Sequence, residues 1–306
     1  MQAVIDSLVS VVTGVFTLGE ADLITIGINM IMGLSMFLPM TVGQLSFGQA
    51  GFMSIGAHIA VVLTLYAGVP FPLALLVAGL ASGVVGFLVG VPVLRLRGLL
   101  LALVTFAFAQ VVEVFFLNFK PTGAAEGIRG IFPYTNLWYV YGFLALLVLF
   151  LTRLRQSRMG RAFDAVKLDE TAAEAMGIDV TRAKLTAFAA GAFVAGVGGG
   201  LYAHHAVFIQ YDNFDFKRSV DIAMYMVLGG MDVLYGPLLG AFVITYLSTA
   251  LQFLADWRWE VWGSIVILVM IFRPQGILGR DTLSIRRWLR ISPVHPGVSH
   301  SGPPKH

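Results

Sequence analysis

The chain has 306 residues, of which 58% are hydrophobic and only 12% are charged, and its formal net charge is +3. A soluble globular domain carries about 25% charged residues, so this composition leaves too little polar side chain to cover a water-facing surface and excludes an ordinary soluble protein. The absence of cysteine excludes a disulfide framework and a thiolate metal site.

Apolar segments that suit membrane-spanning helices recur along the chain, with a mean hydropathy of +0.83. Residues 1–18 are ambiguous because Asp6 and Ser7 interrupt them, and they lack the basic start of a cleaved signal peptide. A straight helix needs about 20 residues to cross a bilayer, so flanking residues must extend the shorter segments. The pattern predicts an all-α, polytopic membrane protein with about nine or ten transmembrane helices in one domain over 1–280. The segments are 23–41, 50–66, 72–93, 101–117, 138–152, 184–203, 219–230, 237–254 and 260–272.

The first polar interruption of the apolar pattern is the stretch 43–51, GQLSFGQAG. Its glycines permit a helix break or a close backbone approach. Gln44, Ser46 and Gln49 then need hydrogen-bonding partners inside the protein, because lipid offers none. Two interpretations stay open. These side chains line a translocation path, or they cap broken helix ends at a structural bend.

Few ionisable side chains fall within the predicted spans: His58, Glu113 and Asp221, with Asp232 just beyond one. Charged groups in a membrane are costly, so such residues are functional candidates by default. Glu113 lies near the outer end of its span, where it is either solvated or paired with a basic side chain. His58 is either a hydrogen-bonded packing residue or part of a proton relay.

Three longer polar segments interrupt or follow the spans. The Gly- and Pro-containing segment 117–137 is expected to be an ordered loop outside the membrane. The tail 281–306 combines several prolines with Ser, Gly and His and is expected to be disordered and cytoplasmic. The segment 153–183 is predicted to lie inside, and its sequence is the most informative of the three.

That inner segment contains strong helix formers and a modest apolar face that includes Phe163, Val166 and Ala173 at helical spacing. Asp169 is suited to cap a short helix, and Gly177 is the usual kind of residue to stop one. The segment is therefore expected to form one or two short amphipathic helices on the cytoplasmic side. An ordinary charged connecting loop is the alternative.

The distribution of basic residues gives an orientation. If the spans alternate sides and the C-terminus is cytoplasmic, fifteen of the 20 basic residues lie inside. The positive-inside rule favours this topology over its inverse. The five basic residues outside are Lys120, Arg129, Lys217, Arg218 and Arg258.

The pattern Glu170-Thr-Ala-Ala-Glu174-Ala-Met-Gly177 resembles the cytoplasmic "EAA" loop of ABC importer permeases. The chain resembles most closely the LivM-type permeases of high-affinity branched-chain amino-acid importers, through six stretches in the expected order over about 240 residues. These stretches are VGQLSFGQAGFMSIGAH (42–58), LRLRGLLLALVTFAFAQVVE (94–113), TGAAEGIRGI (122–131), GRAFDAVKLDETAAEAMGI (160–178), LGGMDVLYGPLLGA (228–241) and FRPQGILG (272–279).

This resemblance implies a permease of the bacterial inner membrane that translocates branched-chain amino acids and has no cofactor or ATPase site of its own. It implies four kinds of partner: a LivH-type homologous permease, two cytoplasmic ATP-binding subunits, a periplasmic substrate-binding protein and membrane lipid. Nucleic acid is not an expected partner. The residues that it assigns to ATPase coupling are Arg161, Phe163, Glu170, Ala173, Glu174 and Gly177. The candidates for the translocation path are Gln44, Ser46, Gln49, His58 and Glu113.

Other functions remain as alternatives. One alternative is the same permease type with urea or short amides as its substrate. Another is a secondary carrier or a channel that works without partner subunits. A membrane-embedded enzyme is disfavoured because no nucleophile–base set or metal-ligand cluster is recognisable in the sequence. The sequence G-x-x-x-x-G-K-[ST] is absent, so ATP binding by a P-loop is not expected. Buried carboxylates are few, which argues against a proton-coupled carrier.

Overall fold

The computed structural model describes residues 19–250 and Gly263. Several predictions therefore lie outside the described residues. They are the ambiguous segment 1–18, the last predicted span at 260–272 (Gly263 apart), the motif at 272–279 and the tail 281–306.

The described residues form ten α-helices and three short 3-10 helices, and they contain no β-strand. One isolated antiparallel bridge joins Ile128 to Ile209. The α-helices are α1 (Glu20–Met40), α2 (Gln49–Leu65), α3 (Phe71–Val93), α4 (Gly98–Asn118), α5 (Leu137–Gln156), α6 (Arg158–Leu168), α7 (Glu170–Ala175), α8 (Val180–Ala206), α9 (Phe216–Gly229) and α10 (Gly236–Ala250), and the 3-10 helices are Lys120–Thr122, Ala124–Glu126 and Tyr211–Phe214.

The all-α, polytopic prediction is confirmed, because each of the first eight predicted spans coincides with an α-helix, the eighth (237–254) over its described residues up to 250. Five of these helices, α1, α3, α4, α5 and α8, are long and apolar enough to cross a membrane. Helix α9 has 14 residues, about 21 Å at the helical rise, and is shorter than the hydrocarbon core of about 30 Å. Of the predicted loop 117–137, the first two residues belong to α4, and residues 119–136 contain no α-helix before α5 begins at Leu137.

Helix α8 is the centre of the bundle, where it packs against α1, α2 and α3. Its glycines allow the backbones to come close together, as small residues do between membrane helices. A Cβ atom on Gly199 would meet the carbonyl oxygen of Met53 in α2, and one on Gly56 would meet the backbone of Gly196. These glycines therefore allow α8 to pack closely against α2.

The outer helices α3, α4 and α5 expose apolar side chains rather than polar ones. Leu80, Leu103 and Leu146 are exposed, and Trp138 at the start of α5 is 87% exposed. A groove of about 350 Å³ between α3, α5 and α8 is lined almost entirely by apolar side chains, including Leu75, Trp138 and Phe193. This surface suits contact with lipid rather than with water.

The two ends of the bundle differ in charge. At one end, which we call the basic end, Arg97, Arg155 and Lys184 lie close to α6 and α7. The opposite end carries the loop 119–136 and the 3-10 helix Tyr211–Phe214, joined by the Ile128–Ile209 bridge. The predicted inner segment 153–183 is thus at the basic end.

Candidate functional site

The short helices α6 and α7 at the basic end are defined by local capping. Asp169 begins α7, because its Oδ1 accepts hydrogen bonds from the backbone N–H groups of Thr171 at 2.8 Å and Ala172 at 3.1 Å. Gly177 follows the last turn with φ of +80°, a value that favours glycine. The Ile178 and Gly177 backbone N–H groups donate to the carbonyls of Ala173 and Glu174. The predicted cap and stop residues are confirmed.

One face of α6 and α7 is buried against the bundle. Phe163 and Ala173, two of the expected coupling residues, belong to a buried apolar cluster with Val42 and Val180. Val42 lies in the turn that joins α1 to α2, and Val180 begins α8. These two coupling candidates therefore attach the helical pair to the membrane bundle, and they do not face outwards.

Glu170, at the start of α7, lies between two basic side chains. Its Oε1 accepts a hydrogen bond from Lys184 Nζ at 2.6 Å, and its Oε2 lies 3.0 Å from Arg97 Nη2. The Lys184 side chain is only 8% exposed, and a buried charge without a partner is strongly destabilising. Glu170 thus compensates a buried lysine of α8 and holds the start of α4 through the same carboxylate.

A second ion pair holds α6. Lys167 Nζ lies 2.7 Å from the Asp232 carboxylate in the turn between α9 and α10. Arg155, near the end of α5, donates to the Asp232 carbonyl oxygen at 3.1 Å. The Lys167 backbone also lies against Gly43, in the turn between α1 and α2. Helices α6 and α7 therefore contact the basic-end termini of α4 and α8 and two inter-helix turns.

The opposite face of this helical pair is exposed. Arg161, Glu174 and Gly177, the three other expected coupling residues, are exposed. Leu168 and Met176 beside them are also exposed, at 83% and 68%. We call these five residues the α6–α7 surface. Large apolar side chains among charges on an exposed helical surface are typical of a protein contact.

The break between α1 and α2 is buried inside the bundle. Gln44, Ser46 and Gln49 are all buried. Both amide atoms of Gln44 and of Gln49 lack a hydrogen-bond partner within the described residues. The Ser46 hydroxyl accepts from the Gly48 N–H at 3.3 Å. An unpaired buried amide costs about 1–3 kcal/mol, so Gln44 and Gln49 are costly polar groups that do not cap the neighbouring helix ends, whereas Ser46 bonds the residue that precedes α2.

His58 and Glu113 lie closer to the opposite end of the bundle. His58 Nδ1 donates to the Ser54 carbonyl oxygen at 2.8 Å, and its ring stacks on Phe116 with centroids 3.7 Å apart. Glu113 forms no ion pair with a basic side chain in the described residues. It is half-buried, and its buried Oε2 has no partner in the described part of the chain. The reason is that α4 packs against the 3-10 helix Tyr211–Phe214 here.

Several residues that hold these features together are absent from the sequence-based predictions. Lys184 is one of them, and its place near the start of an apolar helix is a signal that it needs an acidic partner. Arg218 is one of the five basic residues expected outside, and its guanidinium reaches Asn29 in the interior of α1. Asn29, a polar residue within an otherwise apolar helix, was the available signal.

The structure does not bring all of the expected site residues together. The coupling candidates gather at the basic end, and Gln44, Ser46 and Gln49 lie in the turn next to them. His58 and Glu113 form a separate group. No group of three potential metal ligands is found in residues 19–250.

Comparison with known proteins gives a consistent result. A family model described as "Branched-chain amino acid transport system / permease component" matches residues 21–273. The chain is 33% identical to the high-affinity branched-chain amino acid transport system permease protein LivM of Salmonella typhimurium, over 83% of this chain and 66% of that protein. It is 28% identical to the high-affinity branched-chain amino acid transport system permease protein BraD of Pseudomonas aeruginosa, over 84% of this chain and 91% of that one.

A shorter match is to LivH of Escherichia coli, with 33% identity over 47% of this chain and 46% of that protein. The chain spans 66% of the length of the LivM proteins that it matches. No solved structure matches it.

Proposed function

This chain belongs to the branched-chain amino acid transport permease family, and on that premise we propose that it is the membrane-spanning subunit of an ABC importer for branched-chain amino acids. Its homology to LivM and LivH is the basis for the substrate class. In this proposal the permease binds and releases the amino acid without a covalent step, and other subunits hydrolyse ATP.

The observation that carries the proposal is the α6–α7 surface. It combines exposed apolar side chains with Glu174 and Arg161, and it is attached to the bundle through Glu170 and Lys167. A partner that docks there would contact two rigid helices rather than a mobile loop. Movement of the partner would therefore reach the membrane helices directly.

The partners follow from the family. A LivH-type permease would form the second half of the membrane unit, and two ATP-binding subunits would dock on the α6–α7 surfaces. A periplasmic binding protein would deliver the amino acid at the opposite end of the bundle. ATP binding would shift the population between outward- and inward-open states, because the partner binds the two states with different affinity.

The proposed orientation places the basic end and the C-terminus in the cytoplasm of a bacterial inner membrane. The positive-inside rule supports it. Gln44 and Gln49 would then lie near the inner mouth of the path, and His58 and Glu113 nearer the outer mouth. Gln44, Gln49 and Glu113 have buried polar atoms without partners, which supports their position along a polar translocation path.

The experiment is reconstitution of this chain in proteoliposomes with a homologous permease, ATP-binding subunits and a binding protein. We expect ATP-dependent uptake of labelled leucine, isoleucine and valine, and none when this chain is reconstituted alone. Preferential uptake of urea or a short amide would contradict the substrate class. Uptake by the isolated chain would contradict the ATPase-coupled function in favour of a stand-alone carrier.

A further inference from the structure

Arg218 is a basic residue whose head group lies between three helices. It is in the first turn of α9, and its Nη2 donates to Asn29 Oδ1 in α1 at 2.9 Å. Asn29 is 4% exposed, and its Nδ2 donates to Thr245 Oγ1 in α10 at 2.9 Å. The guanidinium therefore reaches the interior of the bundle. Asn29 fixes its position, and Thr245 fixes the position of Asn29.

The charge of Arg218 has no ion-pair partner within residues 19–250. Asp215 is close, but its Oδ1 accepts the Arg218 backbone N–H. Asp221, one turn along α9, forms no ion pair with it either. Lys184 differs from Arg218 in this respect, because its buried charge forms an ion pair with Glu170. A cation between membrane helices is costly without a counter-charge.

The donors of Arg218 are only partly used. A guanidinium has five N–H donors in a planar fork. One bonds Asn29, while Nε is buried and has no hydrogen-bond partner in the described residues. The hydroxyl of the adjacent Ser219 is buried and unpartnered as well. Two neighbouring residues thus present buried polar atoms without partners, and the stronger donor is positively charged.

The surroundings of the guanidinium are aromatic. Its Cζ lies 5.4 Å from the centre of the Tyr202 ring, which covers one face of the fork. Tyr202 contacts Phe214, with centroids 5.9 Å apart, and Phe214 contacts His58 at the same distance. A planar cation beside apolar rings matches a ligand that carries a carboxylate next to an aliphatic side chain.

We propose that Arg218 binds the α-carboxylate of the amino acid as it passes between α1, α8 and α9, with the Tyr202 and Phe214 rings beside its aliphatic side chain. This inference rests on the proposed function, and it assigns a binding residue to the translocation path. The substrate carboxylate forms with Arg218 the ion pair that neither Asp215 nor Asp221 forms.

The test uses the complete importer in proteoliposomes with its loaded binding protein. Arg218→Gln removes the charge and keeps hydrogen-bonding capacity. We expect leucine uptake to fall at least about tenfold, while ATP hydrolysis stimulated by the binding protein changes less than about twofold. Arg218→Lys keeps the charge without the planar fork, and we expect intermediate uptake with a raised KM. Lys217→Gln, at the exposed neighbouring position, is the matched control and should transport normally.

Asn29→Ala separates carboxylate binding from a structural role. It removes the hydrogen bond of Arg218 to α1 but leaves the positive charge in place. If Arg218 serves only to hold α1 and α9 together, Asn29→Ala and Arg218→Gln should reduce uptake alike, and that result would overturn the proposal. Unchanged uptake by Arg218→Gln would also overturn it. If Arg218→Gln does not assemble, normal KM in Arg218→Lys counts against the proposal.

The wild-type importer tests the proposed function separately. If it takes up no branched-chain amino acid, the proposed function fails whatever the variants do. If it does so and Arg218→Gln transports equally well, only the role of Arg218 is wrong.

Discussion

Lys184 Nζ donates to Glu170 Oε1 at 2.6 Å, so that one carboxylate attaches the short helix α7 to the first turn of the central helix α8. The same carboxylate contacts Arg97, the residue before α4, through its other oxygen. The ion pair joins a short helix with an exposed face to the helix at the centre of the bundle.

Replacing Glu170 should therefore destabilise the protein. Glu170→Gln leaves Lys184 buried without a counter-charge, and we expect a loss of about 1–3 kcal/mol, measured as thermal unfolding in detergent. In Glu170→Gln/Lys184→Met the lysine charge is also removed, and most of the stability should return. Arg182→Gln breaks an exposed pair with Asp179 and should change stability by less than about 1 kcal/mol. Equal effects of the two single variants would contradict this account.

Glu174→Lys should affect coupling without affecting folding. Glu174 is exposed on the α6–α7 surface and has no ion pair in the described structure. We expect normal membrane insertion and yield, but leucine uptake reduced at least about tenfold if partner docking requires this charge. Uptake in proteoliposomes measures transport, and co-purification of the ATP-binding subunits measures partner docking. Glu126→Lys reverses an exposed charge at the opposite end and is the control for co-purification of the ATP-binding subunits, which it should leave unchanged. Normal uptake by Glu174→Lys would remove it from the coupling residues.

Gly177→Pro should uncouple transport from ATP hydrolysis by unfolding the end of α7. Gly177 has φ of +80°, which proline cannot adopt, and its N–H donates to the Glu174 carbonyl. Gly177→Asn is the matched variant, because asparagine tolerates positive φ and retains the N–H. We expect the proline variant to hydrolyse ATP without uptake, and the asparagine variant to retain most uptake. Similar uptake by both would show that this helix end is not needed for coupling.

Gly56→Ala should prevent close packing of α2 against α8. The added methyl group would meet the backbone of Gly196, which cannot move as a flexible side chain can. The cost should be about 3 kcal/mol or more, and we expect little monodisperse protein by size-exclusion chromatography. Gly142→Ala, on α5, places the same methyl group where nothing lies within 4 Å. Its yield should match the wild type, and a comparable loss would point to a general intolerance of added volume.

Much of the fold was predictable because its signals are local. Long apolar segments located the helices, and the side chain of Asp169 and the backbone freedom of Gly177 located the ends of α7. These features depend on a few neighbouring residues. The charge asymmetry also grouped the basic residues at one end, where Arg97, Arg155 and Lys184 are found.

The contacts that define the candidate site were not predictable in the same way. Arg218 and Asn29 are separated by 189 residues, and Lys167 and Asp232 by 65. Which side chains meet depends on how the helices are arranged around α8, and apolar periodicity does not encode that arrangement. The surroundings of Glu113 are a further case, since the 3-10 helix Tyr211–Phe214 that packs against α4 is about 100 residues away in the sequence.

The several attachments of α6 and α7 constrain how they can move. Glu170 fixes α7 to α4 and α8, Lys167 fixes α6 to the turn before α10, and Val42 packs beneath both. A helical pair attached at one point could rotate without moving the bundle. Because α6 and α7 are attached at several points, both their rotation and their translation are transmitted to the bundle. A force on the exposed surface must therefore rotate or translate these helix ends together, including the turn that contains the unpaired amides of Gln44 and Gln49.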